Sequence, residues 1–152
     1  MDRGSDECQY CAAGVDLPIA TIMRSKYGEY PEYHTSLDNF DVLTSRGLEG
    51  GFIAVQRAIE IIEQNVYPKT AVLCEPQLGK RGLYPTLHTN ESHEQVRVMM
   101  NLISYCDGTR TLLEIANLIE EPFWELMPIA EKLVEHQLLK LKPAPKTLMT
   151  YS

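Results

Sequence analysis

Residues 107–119 read Asp-Gly-Thr-Arg-Thr-Leu-Leu-Glu-Ile-Ala-Asn-Leu-Ile, a turn signal followed by the start of a helix. Asp107-Gly108 marks the turn, because both residue types accept conformations that other residues resist. Thr111 and Glu114 are three apart and form a capping box, in which each side chain satisfies a backbone N–H that the first turn leaves open. Behind them Leu112, Ile115, Ala116 and Ile119 fall on one face at helical spacing.

Working outward, Pro122 suits the first turn of a further helix, with Leu126, Ile129, Leu133 and Val134 expected to point inward. Leu138 to Lys142 then reads as a β-like run. Upstream, Ser92 and Gln95 have capping-box spacing ahead of Val96, Met99, Met100 and Ile103, which share a face. Three short helices and a terminal strand make an α+β winged-helix outline over residues 92–142, expected to fold on its own. Pro143 and Pro145 leave residues 143–152 as a loose tail.

Residues 67–91 read as an ordered connector, interrupted by Pro68, Pro76, Gly79, Gly82 and Pro85, with only Ala71 to Cys74 resembling a short strand. Before it, Gly47 is expected to open a helix whose residues Leu48, Phe52, Val55, Ile59 and Ile62 alternate in steps of four and three. Glu49, Gln56, Arg57, Glu60 and Glu63 occupy the other face, so the helix is expected to pack on something large, and Asn65 with Pro68 to stop it. Leu17 to Met23 reads as a buried strand leading into a tyrosine- and glycine-containing loop that ends near Asn39.

The chain has 152 residues, 44% of them hydrophobic, which suits a folded protein of one ordinary domain or two small ones. No apolar run approaches the roughly 20 residues of a membrane span, and Met1 to Glu7 has neither the basic start nor the apolar core of a signal peptide. A cytoplasmic protein without membrane partners is expected. A net charge of −7 opposes general attraction to nucleic acid. Cys8, Cys11, Cys74 and Cys106 include a single C-x-x-C, short of the two close pairs of a zinc ribbon, and all four are expected as reduced thiols.

The segment with chemical content is Arg24-Ser25-Lys26-Tyr27-Gly28-Glu29-Tyr30-Pro31-Glu32-Tyr33-His34-Thr35-Ser36-Leu37-Asp38-Asn39. A histidine in a loop, with a hydroxyl and a carboxylate just beyond it, suits metal ligation, since neutral imidazole binds zinc while neighbouring groups fix the ring. A surface histidine among packed tyrosines is the competing reading. Tyr27, Tyr30 and Tyr33 have two readings as well: donors to a developing oxyanion, or rings packed on the loop. His88, His93 and His136 have no ligand spacing.

The string His34-Thr35-Ser36-Leu37-Asp38 resembles the last ligand motif of the di-zinc aminopeptidases, a zinc peptidase family related to leucyl aminopeptidase. Asp2-Arg3-Gly4-Ser5-Asp6-Glu7, Gln9-Tyr10-Cys11, Asp16-Leu17-Pro18 and Tyr30-Pro31-Glu32-Tyr33 resemble a bacterial aminopeptidase-like branch of it. Cys74-Glu75-Pro76-Gln77-Leu78-Gly79-Lys80-Arg81-Gly82-Leu83 resembles the connector to that branch's winged-helix domain. The resemblance implies that residues 1–66 form an α/β fragment, namely the last strand, metal loop and final helix of the zinc-aminopeptidase fold.

It also implies zinc as cofactor, with a metal-activated water attacking an amide next to a free amino terminus, in a peptide or aminoacyl-amide substrate. The family holds two metals with two histidines and three carboxylates, and only His34 matches one of these positions. Asp38 is expected to orient that ligand, while Asp6, Glu29 and Glu32 remain candidates for a makeshift site. Glu7 stands where the family has histidine, and Cys8 where this branch more usually has a basic residue. One imidazole does not hold a catalytic zinc. The remaining ligands are therefore expected before Met1 or on another chain, with the isolated chain inactive and prone to self-association through uncovered apolar surface.

A binding module is the alternative, with its function in the winged helix. Glu121, Glu125, Glu131 and Glu135 against Lys132 make its third helix a poor reader of DNA and favour protein packing.

Overall fold

The computed structural model describes residues 5–17, 19, 21–74, 76–83 and 90–145, and the side chains of all these except 5–7 and 90–92. They fall into two compact units, divided between Arg57 and Ala58. The elements are α1 (Ser5–Tyr10), α2 (Ser45–Gln64), β1 (Val66–Thr70), a 3-10 turn (Gly79–Arg81), α3 (Asn90–Tyr105), α4 (Leu112–Ile119), α5 (Phe123–Glu135) and β2 (Leu139–Pro143).

The second unit is built around three short helices. Leu102 on α3, Leu112 and Ile115 on α4, and Leu126 and Leu133 on α5 are fully shielded from water. Each such side chain contributes on the order of 1.5–3 kcal/mol of transfer free energy. Phe123, Leu126, Ala130 and Leu133 follow steps of three, four and three along α5, so the buried stripe bypasses Val134, which is 38% exposed rather than inward. Ile129 packs at the edge of the core. Glu120 ends α4 in the left-handed conformation, φ 58°, and its N–H bonds the carbonyl of Ala116.

β1 and β2 form an antiparallel pair with Val66 opposite Pro143, Pro68 opposite Leu141 and Thr70 opposite Leu139. The strand thus precedes Ala71–Cys74, which form only bends. Thr70 N–H turns away from β2 to the carbonyl of Cys106, while Ala71 N–H reaches Leu138 on the β2 side. Lys69 bridges Asp107 there, and the turn needs Gly108, whose φ is 87° and whose missing Cβ would sit 3.2 Å from the Lys69 chain. Pro68 and Leu78 are fully buried and Leu83 nearly so, so the stretch read as a connector contributes core residues and a strand.

α3 begins at Asn90, so Ser92 lies inside the helix and not ahead of it; the Ser92 side chain lies outside the described residues. Met99 and Ile103 are buried as expected, joined by Val98 and Leu102.

In the first unit, the described residues of Leu17–Met23, expected as a buried strand, form none. Ile19, Ile22 and Met23 are 41%, 56% and 40% exposed, and the backbone is irregular. A strand needs a neighbour for its N–H and C=O groups. The sheet among the described residues contains only β1 and β2, and Leu17 N–H turns instead to the Tyr10 carbonyl at 2.8 Å. Pro18 and Ala20 lie outside the described residues.

α2 runs over 20 residues, opening at Ser45, two residues before Gly47. The Thr44 hydroxyl accepts from Gly47 N–H at 3.1 Å and caps its start. Its five stripe residues are all exposed: Leu48 60%, Phe52 70%, Val55 44%, Ile59 55% and Ile62 66%. Among the described residues no helix is long and apolar enough to cross a membrane.

Candidate functional site

The loop from Arg24 to Thr44 holds itself together by short-range bonds. Thr35 Oγ1 donates to the Glu32 carbonyl at 2.7 Å and accepts from Leu37 N–H at 3.2 Å. Asn39 Oδ1 accepts from Asp41 N–H at 2.8 Å. These side-chain-to-backbone bonds replace the ladder that regular structure would supply.

His34 is an exposed residue in the left-handed region, φ 57°. That conformation costs about 1 kcal/mol or more in a residue with a Cβ. Its ring stacks on Tyr33, centroids 4.2 Å apart, and Tyr33 meets Tyr30 edge-on at 5.6 Å and Tyr27 at 6.0 Å. The tyrosines therefore form a packed ring cluster that supports the histidine.

Beside the cluster lies a cavity of about 350 Å³ lined by Arg24, Tyr30, Glu32, Asp38, Val42 and Leu48, among others. Desolvation pushes the Tyr30 phenol up, and the carboxylates of Asp38 and Glu32 with the Tyr33 phenol add to the shift by opposing a second negative charge. Arg24 Nη1 donates to the Arg46 carbonyl at 3.2 Å.

Of the expected site residues, Glu32 and Asp38 share this cavity, and His34 is not among its lining residues. Glu29 lies apart, 3.9 Å from the Lys26 ammonium. The Asp6 side chain lies outside the described residues. Sequence reasoning missed Arg24, which has no motif to announce it. Among the described residues no group of three or more His, Cys, Asp or Glu side chains could hold a metal ion. The three protein ligands that a catalytic zinc needs are therefore not brought together among the described residues.

The exposed positions of α5 carry Glu125, Glu131 and Glu135 around Lys132. Residues 65–141, which contain β1, the three helices and the start of β2, match the winged helix-turn-helix family. The chain belongs to the winged helix-turn-helix family. Ahead of its winged-helix part, residues 1–65 match a family described as "Domain of unknown function (DUF4910)".

The winged-helix chain is 36% identical over 140 residues to the Clostridium acetobutylicum "Putative polysaccharide biosynthesis protein with aminopeptidase-like domain", covering 91% of this chain and 32% of that protein. It is also similar to a crystal structure of a "putative peptidase" from Clostridium acetobutylicum, with a TM-score of 0.74 and 34% identity over 91% of this chain and 30% of that one. The chain spans about a third of the length of each.

Proposed function

We propose that this chain is the C-terminal part of a zinc-dependent aminopeptidase-like hydrolase that cleaves an amide next to a free amino terminus. The supporting observation is the similarity over 91% of the chain, through the His34 loop and the winged-helix unit alike, to relatives whose names include an aminopeptidase-like domain and a peptidase. His34 supplies one metal ligand, and Asp38 helps to fix the loop that carries it. The other ligands come from outside these 152 residues or from another chain. The substrate is a peptide or an aminoacyl amide.

The test uses a protein that carries these residues within the full length of its relatives. His34→Ala should lose zinc, measured by elemental analysis, together with aminoacyl-amide hydrolysis, while far-UV dichroism and the melting of the winged-helix unit stay unchanged. Stoichiometric zinc and turnover by the 152-residue chain alone would overturn the ligand count, and Glu32, Asp6 and Glu29 would then be the residues to examine.

A second reading, a protein-interaction module, is favoured by the carboxylates along α5, which suit protein contacts better than phosphate.

A further inference from the structure

α3 and α5 converge on an open groove of about 530 Å³. Its floor is apolar: Val98 and Met99 from α3 are 7% and 6% exposed, and Ile129 from α5 packs against the same core. Its rim is acidic, with Glu94 on α3, Glu125 on α5 and Glu121 in the turn before α5. Arg97 bonds Glu94 and approaches Glu121 at 3.4 Å, which fixes two of these carboxylates at one end. Glu125 has no ion pair among the described residues, and Lys132 is the one cation among the described lining residues.

We propose that this groove receives a cationic amphipathic helix from a protein partner. The apolar side of such a helix covers Val98, Met99 and Ile129, and its lysines or arginines meet Glu121 and Glu125. Two helical walls with an apolar floor are the surface that helix-in-groove recognition uses, through anchors spaced three and four residues apart. The carboxylate rim selects against an acidic helix and against phosphate, and the net charge of −7 steers a cationic partner toward the chain.

The experiment titrates the whole 152-residue chain into a fluorescein-labelled Leu/Lys peptide with apolar residues at helical spacing, and follows anisotropy. Saturable binding should shift the methyl NMR signals of Val98, Met99 and Ile129. Glu121→Lys with Glu125→Lys should weaken it at least about tenfold, whereas the same charge change at Glu131→Lys with Glu135→Lys, outside the groove, should alter it less than about twofold.

Equal weakening by both pairs would mean general attraction to an acidic protein and overturn the proposal. So would tighter binding of a Leu/Glu peptide or of duplex DNA, or no binding at all. If the double variant at the rim does not fold, the methyl shifts of the unaltered chain decide alone: changes confined to the groove support the proposal, and changes elsewhere or nowhere refute it.

Discussion

Thr111 and Glu114 satisfy one another at the start of α4: the Thr111 hydroxyl accepts from Glu114 N–H at 3.2 Å, and the Glu114 carboxylate accepts from Thr111 N–H at 2.6 Å. Four-residue capping of this kind relieves two donors that the first turn cannot pair. Thr111→Ala should cost about 1 kcal/mol and lower the thermal midpoint accordingly.

The bond from the Thr111 N–H foremost, and then the one the Thr111 hydroxyl donates at 2.9 Å, hold the Glu114 carboxyl below its ordinary value of 4.5. A depressed folded-state pKa means stability that is present above the unfolded value and lost as pH falls through the folded one. Glu114→Gln should therefore be less stable than the unaltered chain at neutral pH, and the gap should close in denaturant titrations below about pH 4.

Burial separates two large apolar residues that the sequence treats alike. Leu126→Ala, at a site with no exposure, should destabilise the second unit by about 2–5 kcal/mol, and Phe52→Ala, at 70% exposure, by less than about 0.5. Urea unfolding followed by circular dichroism reads both. A comparable loss at Phe52 would mean that the α2 stripe is covered in solution.

Burial, and then the neighbouring Asp107 charge, push the Cys106 thiol up to about 12, and its Sγ lies 3.1 Å from the Leu102 carbonyl. Since the thiolate is the nucleophile, Cys106 should resist iodoacetamide at pH 8 until the chain unfolds. Exposed Cys74 should be labelled in the native chain. Peptide mass spectrometry distinguishes the two sites, and early labelling of Cys106 would contradict its placement.

A polypeptide of residues 65–145 should melt cooperatively, because it holds β1, Leu78 and Leu83 with the three helices. One of residues 92–142 leaves β2 without its partner and the core without those leucines, and should melt broadly or remain partly unfolded. Equal cooperativity in calorimetry would show that β1 is dispensable.

The helices were legible because capping residues and three-four spacing are local signals, and α4 and α5 follow them closely. β1 was not, since Pro68 reads as an interruption and nothing between Val66 and Thr70 alternates. Its place depends on Leu139 and Cys106, remote in sequence. Leu78 and Leu83 lie in a turn-rich stretch where burial has no period to betray it. The run at Leu17–Met23 misled in the opposite direction, because β-rich composition supplies a strand's surface but not its neighbour. At the candidate site, His34 stood out by the hydroxyl and carboxylate just beyond it and, more specifically, by resemblance, while the cavity formed by Arg24, Tyr30 and Asp38 arises from loop folding that no spacing rule describes.

Pro68 has a further effect on the two-stranded sheet. Thr70 N–H points away from β2, and backbone directions alternate along a strand, so the nitrogen of Pro68 faces that same outer side. A proline there removes the donor an invading strand would need, and the Cys106–Asp107 turn occupies the positions next to it. The outer side of β1 is thereby closed to strand addition, so intermolecular β pairing cannot start from this edge of the sheet.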